Sequence, residues 1–315
     1  MRGTSGGGWL ARLRGLAAEA RRAGDPPRDP RHVAVVTDSA AGLPAEWLAP
    51  HGESVVVVPI PVLIAGEEFQ EGYDDVATRL AIALASGTPV TTSRPGPGAF
   101  ATAYAALAAA GYRSVVSIHL SGRLSGTVDA ARVGAEEARR EHGIEVTVVD
   151  SRTAGLAQGY LVLDALRAAA AGGGAHEVAA AAAPTRLPSI DFVVPSLEQL
   201  RRGGRISRAA SVVGTMLSVK PLLTVRDGAI QARENPRTLA RAVARLVDVA
   251  RSEAEAVAAS GRPPRIALHY FGAPEQAEEI RHELLELAAE DVQLVPLPAV
   301  LGAHTGIGVV AVVVA

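Results

Sequence analysis

The chain has 315 residues, a net charge of -2 and no cysteine, and aromatic residues make up 3% of it. A nearly neutral charge gives no general attraction to nucleic acid, and the lack of cysteine excludes disulfides, thiolate catalysis and cysteine-ligated metals. No apolar run approaches the ~18 residues of a membrane span. We therefore expect a cytoplasmic protein with a core of Ala, Val, Leu and Ile.

Residues 1–31 differ in composition from the rest of the chain. They are rich in Arg, Gly and Pro and lack the apolar core of ~7–15 residues that a signal peptide needs. The apolar residues between Trp9 and Ala20 are spaced to line one face of a short basic helix. We expect a frayed extension that does not join the core; transient contact with a membrane surface is the alternative.

From Val33 to Gly174, β-branched runs alternate with helical stretches. Such alternation implies right-handed crossovers and a mainly parallel sheet. We therefore predict a Rossmann-like α/β domain over residues 32–174. The predicted strands are residues 33–39, 54–64, 113–120 and 145–151, and the predicted helices are residues 74–87, 99–112, 126–143 and 159–174.

The glycines at 172–174 form the best candidate for a linker. Beyond them, a β-hairpin is predicted over residues 220–235, because Asp227-Gly228 is a favoured turn pair. Helices and strands then mix, so we predict a second α/β domain with a mixed sheet over residues 175–315. Its other predicted strands are residues 190–196, 265–271 and 309–314, and its predicted helices are residues 197–204, 238–260 and 274–289.

Three loops follow strands or precede helices, where ligands collect in open parallel sheets. The first, HLSGRLSGT, has two Ser-Gly pairs, Ser121-Gly122 and Ser125-Gly126. A single serine here would only cap a helix, but two pairs also offer hydroxyls and backbone N–H groups to an anion.

The other two loops add further polar groups. The stretch PVTTSRPGPG carries Thr91, Thr92 and Ser93, although an ordinary helix cap and turn would explain it equally well. In LGAHTGIG, His304 is expected in a flexible polar loop, as a ligand contact or as a structural histidine.

Together the loops supply hydroxyls, backbone amides, one histidine and the cations Arg94 and Arg123. This set suits a compact anion such as a carboxylate, and no GxxxxGK[ST] motif points to a triphosphate. A serine-dependent acyl hydrolase is the alternative, with Ser125 as nucleophile, His304 as base and Asp150 or Asp38 as the orienting acid. The segment GRLSG, however, lacks the G-x-S-x-G pattern of a nucleophile elbow.

Seven motifs in this order resemble the DegV family of bacterial fatty-acid-binding proteins, also called FakB. The resemblance runs from about Val33 to Ala315 and rests on VVTDSAAGLP, TTSRPGPGAF, SIHLSGRLSGT, VVDSRTAGLAQG, LEQLRRGGRIS, VGTMLSVKPLL followed by DGAI, and GAHTGIGV. It implies a two-domain α/β protein that holds one long-chain fatty acid between its domains and uses no cofactor. A binder of another small carboxylate on the same fold is a further alternative.

The resemblance also implies a partner and a set of site residues. The bound acid would be presented to a separate ATP-dependent, dihydroxyacetone-kinase-like fatty-acid kinase, which makes acyl phosphate for phospholipid synthesis, so this chain is not itself an enzyme. Arg205 and Arg237 fall where the family places kinase-docking arginines. The implied carboxylate site comprises Thr91, Thr92, Ser93, Ser121, Ser125, Gly126 and His304.

This chain departs from the family pattern beside the head-group loops. The usual TSQP reads Thr92-Ser93-Arg94-Pro95, and the usual Ser-Ser pair reads Ser121-Gly122. These departures leave open which serine contacts the carboxylate.

Overall fold

The computed structural model describes residues 32–183, 187–206 and 219–315, together with Trp9, Ala11, Leu13 and Gly15. In this part of the chain the strands are β1 Val33–Asp38, β2 Val55–Val58, β3 Val62–Ile64, β4 Glu67–Phe69, β5 Val90–Thr92, β6 Ser114–His119, β7 Glu145–Asp150, β8 Ser189–Val193, β9 Leu222–Arg226, β10 Ala229–Glu234, β11 Ile266–Phe271, β12 Gln293–Pro296 and β13 Val309–Val314.

The described α-helices are α1 Ala45–Leu48, α2 Val76–Ala85, α3 Pro97–Ala109, α4 Thr127–His142, α5 Leu156–Ala170, α6 Ala175–Ala181, α7 Glu198–Arg202, α8 Leu239–Ala259, α9 Pro274–Leu284 and α10 Ala299–Thr305. Short 3-10 helices occupy Ser39–Ala41, Ala49–Ser54 and Leu285–Leu287. None of these helices combines the length and the apolar character needed to cross a bilayer.

The first half of the chain forms a parallel sheet in the order β2-β1-β6-β7. Successive residues of β1 point to opposite faces, as the strand period requires. Val33 and Val35 pack with α5 and α6, whereas Ala34 and Val36 pack with α3 and α4. This arrangement confirms the predicted Rossmann-like architecture.

The second half forms a mixed sheet in the order β10-β9-β8-β13-β11-β12, in which only β11 and β12 are parallel neighbours. Val310 and Val312 pack on α8 and α9, while Phe192 and Ala311 face the core shared with the first half. The predicted mixed sheet is confirmed.

Helix α5 lies between the two sheets, and a buried histidine fixes its start. His269 Nε2 on β11 accepts a hydrogen bond from the Leu156 N–H at 2.8 Å, and its Nδ1 is 3.1 Å from the carbonyl oxygen of Val295. Helix α6 follows the predicted linker and packs on α5 and on strands of the first sheet. The domain boundary at residue 174 stays a prediction.

The predicted single strand over residues 54–64 is wrong. Proline cannot donate a ladder hydrogen bond, and the sequence Pro59-Ile60-Pro61 separates β2 from β3. Strand β3 instead pairs antiparallel with β4 and with β5, forming a small third sheet. The stretch that carries Thr91 and Thr92 is therefore an edge strand rather than only a loop.

The predicted flexible loop around His304 is also wrong. Residues Ala299–Thr305 form helix α10, which begins after Pro298 and ends at Gly306 with a φ of 82°. Alanine and leucine favour the helix, and it ends at Gly306, whose φ is positive. His304 is thus held in the last turn of a helix.

The expectation that the N-terminal extension does not join the core is corrected at its described positions. Trp9 and Leu13 are helical, only 6% and 3% exposed, and pack in the cluster that contains Val56 and Phe100. Residues four apart on a helix share a face, so both side chains reach the same core. The rest of residues 1–31 lies outside the described residues, as does most of the VGTMLSVKPLL motif.

Candidate functional site

An apolar pocket lies between the carboxyl ends of the parallel sheet and one face of the mixed sheet. It encloses about 810 Å³ of space between atoms, part of which is open solvent at its mouth. An apolar lining suits an alkyl chain, because each methylene buried there contributes ~0.8 kcal/mol to the free energy of binding. The apolar lining consists of Ile60, Leu120, Leu124, Ala154, Ile190, Phe192, Leu200, Val225, Ile230, Leu297, Val300, Leu301, Val309 and Ala311.

The polar groups of the pocket come from four segments of the chain. His304 Nε2 at the end of α10 lies 2.8 Å from the hydroxyl of Thr92 at the end of β5. Arg205 Nε donates to the carbonyl oxygen of Leu124, next to Ser125. The polar and charged lining is Thr92, Ser93, Arg94, Ser125, Arg205, His304 and Thr305.

His304 is a neutral imidazole at physiological pH. Burial lowers its pKa to about 4, and the neighbouring charge of Arg205 acts in the same direction. A neutral imidazole forms one hydrogen bond with the Thr92 hydroxyl and does not act as a counter-ion. Its Nδ1 packs against Gly203, where a Cβ would overlap it.

Ser125 is the serine of the first loop that faces the pocket. Its hydroxyl lies 2.8 Å from the hydroxyl of Thr127, the first residue of α4. Gly126 is the N-cap of that helix and has no side chain to cap it. Ser125 thus stands beside backbone N–H groups at a helix start, where an anion is stabilised.

Ser121 does not line the pocket, and which serine contacts a carboxylate stays a prediction. The Ser121 side chain is buried and donates to the carbonyl oxygen of Gly228 at 2.7 Å. Arg123 also donates to the Asp227 carbonyl oxygen, and Arg152 pairs with the Asp227 carboxylate at 3.0 Å. Ser121 therefore fastens the tip of the β9–β10 hairpin to the first half of the chain.

The remaining predicted residues lie at different distances from the pocket. Ser93 lines its mouth, but Thr91 is exposed and does not line it, because neighbouring strand residues point to opposite faces. Arg237 is exposed in the loop between β10 and α8. Arg205 is half-buried at the pocket, where it donates to the Gly203 carbonyl oxygen as well. Docking roles for both arginines stay predictions.

Helix α10 receives a cap from the first half of the chain. Glu71 Oε1 accepts a hydrogen bond from the Ala299 N–H at 2.6 Å, while its Oε2 is buried with no partner among the described residues. Burial raises the pKa of Glu71 to about 7, and the bond from Ala299 opposes this. Glu71 thereby fixes the start of the helix that ends near His304.

A row of buried polar side chains, linked by hydrogen bonds, lies under the start of the first loop, HLSGRLSGT. His119 Nδ1 lies 2.9 Å from Asp38 Oδ2, and His119 Nε2 lies 2.7 Å from the hydroxyl of Ser117, which bonds Tyr104. Asp38 also accepts the Leu120 N–H at 3.0 Å. These side chains are fully buried, so they orient the backbone that enters the loop.

The hydrolase alternative finds little support in this geometry. Among the described residues, the hydrogen-bond partner of His304 is Thr92 and that of Ser125 is Thr127. The proposed base, His304, and the proposed nucleophile, Ser125, are therefore not hydrogen-bonded to each other. Asp38 is bonded to His119, and Asp150 accepts the N–H groups of Gly122 and Arg152. Neither acid therefore orients His304.

Comparison with known sequences identifies one family. The family model that matches is that of the DegV family, over residues 32–315. A DegV domain-containing protein of Streptomyces coelicolor is 41% identical over 287 residues, which are 90% of this chain and 98% of that protein. One from Deinococcus radiodurans is 36% identical over 285 residues, which are 89% of this chain and 97% of that protein.

Solved structures give the same result. A DegV family protein from Thermus thermophilus, reported for its fatty acid binding, is 32% identical with a TM-score of 0.78, covering 90% of this chain and 99% of its own. DegV from Bacillus subtilis, a fatty acid binding protein, is 28% identical with a TM-score of 0.79, covering 90% of this chain and 98% of its own.

Proposed function

The chain belongs to the DegV family, and on that premise we propose that it binds a long-chain fatty acid in the pocket described above. The observation that carries this proposal is the pocket's lining, which is mostly apolar, with a few polar groups close to one another at Thr92, Ser125 and His304. The carboxylate lies at Thr92, Ser93, Ser125 and His304, and the acyl chain lies along the apolar wall.

The two parts of the pocket contribute differently to affinity. A hydrogen bond to a charged group nets ~1.5–3 kcal/mol, whereas a dozen buried methylenes contribute on the order of 10 kcal/mol before ordering costs. The polar end therefore sets the orientation of the acid, and the apolar wall supplies most of the binding free energy.

We further propose that the chain is a carrier and that a separate ATP-dependent kinase performs the chemistry. A carboxylate oxygen attacks the γ-phosphorus of ATP, the bond to the bridging oxygen breaks, and ADP leaves with acyl phosphate as the product. Ser93 and Arg94 are exposed at the mouth, which supports access of a kinase to the head group. The product would supply phospholipid synthesis in the cytoplasm.

Ligand extraction tests the binding proposal. The purified protein is denatured and extracted, and mass spectrometry should find a fatty acid in near-stoichiometric amount. The Ser125→Ala/His304→Ala double variant should retain at least tenfold less acid at a similar melting temperature. A matched control is Ser86→Ala/His282→Ala, because both residues are exposed and outside the pocket. Equal lipid content in all three proteins would contradict the site.

Charge reversal tests the carrier proposal. Arg237→Glu should leave the bound fatty acid in place and slow acyl-phosphate formation when the kinase is supplied, because reversed rim charges mainly slow association. Arg262→Glu, another exposed arginine, serves as the control. Full activity of the Arg237 variant would show that this surface does not dock the kinase.

A further inference from the structure

Arg94 is an unpaired cation at the mouth of the pocket. Its side chain is exposed and lies across Gly126, where its Nη1 would be 2.7 Å from a Cβ. It forms no hydrogen bond or ion pair with any residue that the structure describes. An arginine whose donors are all free beside an anion site is available to the ligand.

The charges around the polar end are unequal. Among the described residues that line the pocket, Arg94 and Arg205 are the cations and none is a carboxylate. Arg205 donates to the carbonyl oxygens of Leu124 and Gly203, so its positive charge is not neutralised. A bound carboxylate would supply one negative charge, whereas Arg94 and Arg205 supply two positive charges.

We propose that Arg94 is a specificity-determining residue that recognises the phosphoryl group of a bound acyl phosphate. This inference rests on the proposed function and extends it from the acid to the phosphorylated product. An acyl phosphate is a mixed anhydride whose terminal phosphoryl group resembles that of a phosphate monoester, which carries about 1.5 to 2 negative charges at neutral pH and three strong acceptor oxygens. The planar fork of an arginine pairs with two such oxygens at once. The mouth therefore holds the product more tightly than the acid.

A stable ligand pair tests this assignment without a kinase. Hexadecyl phosphate and hexadecanoic acid share a chain length, and the phosphate ester is nearly a dianion at about pH 7.5. Displacement titrations should show hexadecyl phosphate binding more tightly than the acid. Arg94→Gln should lower affinity for the phosphate about tenfold and change affinity for the acid less than about threefold. Arg94→Lys should lie between, and Arg113→Gln, a change at an exposed arginine outside the pocket, should alter neither.

Each result decides between distinct conclusions. Equal losses for the two ligands in Arg94→Gln, or no loss for either, would overturn the assignment to Arg94. Binding of neither ligand to the unaltered protein would instead overturn the proposed fatty-acid site itself.

Discussion

Gly203 and His304 are packed so closely that no side chain fits between them. The imidazole Nδ1 of His304 occupies the position that a Cβ of residue 203 would take. Gly203 has a φ of -73°, which any residue adopts, so the close approach alone requires glycine here.

Gly203→Ala should therefore displace His304 and weaken fatty-acid binding about tenfold, as expected when one hydrogen bond to a carboxylate is lost. Displacement titration measures the loss. Gly98→Ala is the control, because a Cβ there meets open space. In a His304→Ala background the Gly203 change should cost no further affinity; a further loss would mean that it acts by another route.

Glu71 should influence ligand binding through helix α10. Glu71→Ala leaves the Ala299 N–H without its acceptor, so the first turn frays and His304 shifts. We expect a severalfold loss of fatty-acid affinity and about 1 kcal/mol less stability. Glu71→Gln keeps an acceptor oxygen and should preserve affinity. If the two variants bind equally, capping by Glu71 does not position His304.

Acid should destabilise the fold through His269. Complete burial lowers the pKa of His269 to about 4, from about 6.5 in an unfolded chain. The unfolded state then binds the proton more readily, so this stability is present above about pH 6.5 and is lost as pH falls toward 4. At about pH 5 the loss approaches 2 kcal/mol.

Comparing variants isolates this effect. The contribution of His304 to the free energy of unfolding falls over the same pH range, since its pKa is also about 4. The contribution of Glu71, whose pKa is raised to about 7, instead increases as pH falls. In His269→Gln the amide oxygen still accepts the Leu156 N–H without titrating. Melting temperatures from about pH 7 to 5 should fall less for His269→Gln than for the unaltered protein. His282→Gln, at an exposed position, should follow the unaltered curve; identical slopes for all three would exclude His269 as the source.

Trp9 and Leu13 should matter for stability. Removing a buried Trp or Leu side chain costs about 3 kcal/mol, so Trp9→Ala and Leu13→Ala should each lower the free energy of unfolding measurably in denaturant titrations. Ala11→Ser changes a residue that is helical and exposed and should have no effect. Deleting residues 1–28 should lower the melting temperature. Unchanged stability in all variants would mean that Trp9 and Leu13 do not pack on the core in solution.

Periodicity was sufficient to predict the two sheets and their main helices, because a strand or helix with one buried face carries that pattern locally. Prediction from periodicity failed at two places, where prolines or glycines interrupt the pattern. Prolines 59 and 61 divided an apolar run between two sheets. Around His304, the flanking glycines led to the prediction of a loop, although residues Ala299–Thr305 form a helix.

The candidate site was predictable by residue type and less so by position. Thr92, Ser93, Ser125 and His304 line the pocket, and their contact with a carboxylate stays a prediction. The serine pattern alone could not separate Ser121 from Ser125. That distinction depends on Gly228, 107 residues away in sequence. Glu71 and Gly203 had no signal of their own, because their roles arise from contacts with α10 that only the folded chain creates.

Strands β8 and β13 are neighbours in the mixed sheet, although Ser189 and Val314 lie 125 residues apart. Phe192 and Ala311, which face each other across this pair, both line the pocket. Closing so long a loop costs chain entropy before the contacts compensate, so such pairings are slow to form. We therefore expect the pocket wall to be completed late in folding, so that the collapsing chain has no finished pocket in which to bind a fatty acid. Its effect should fall on the rate at which the finished protein unfolds.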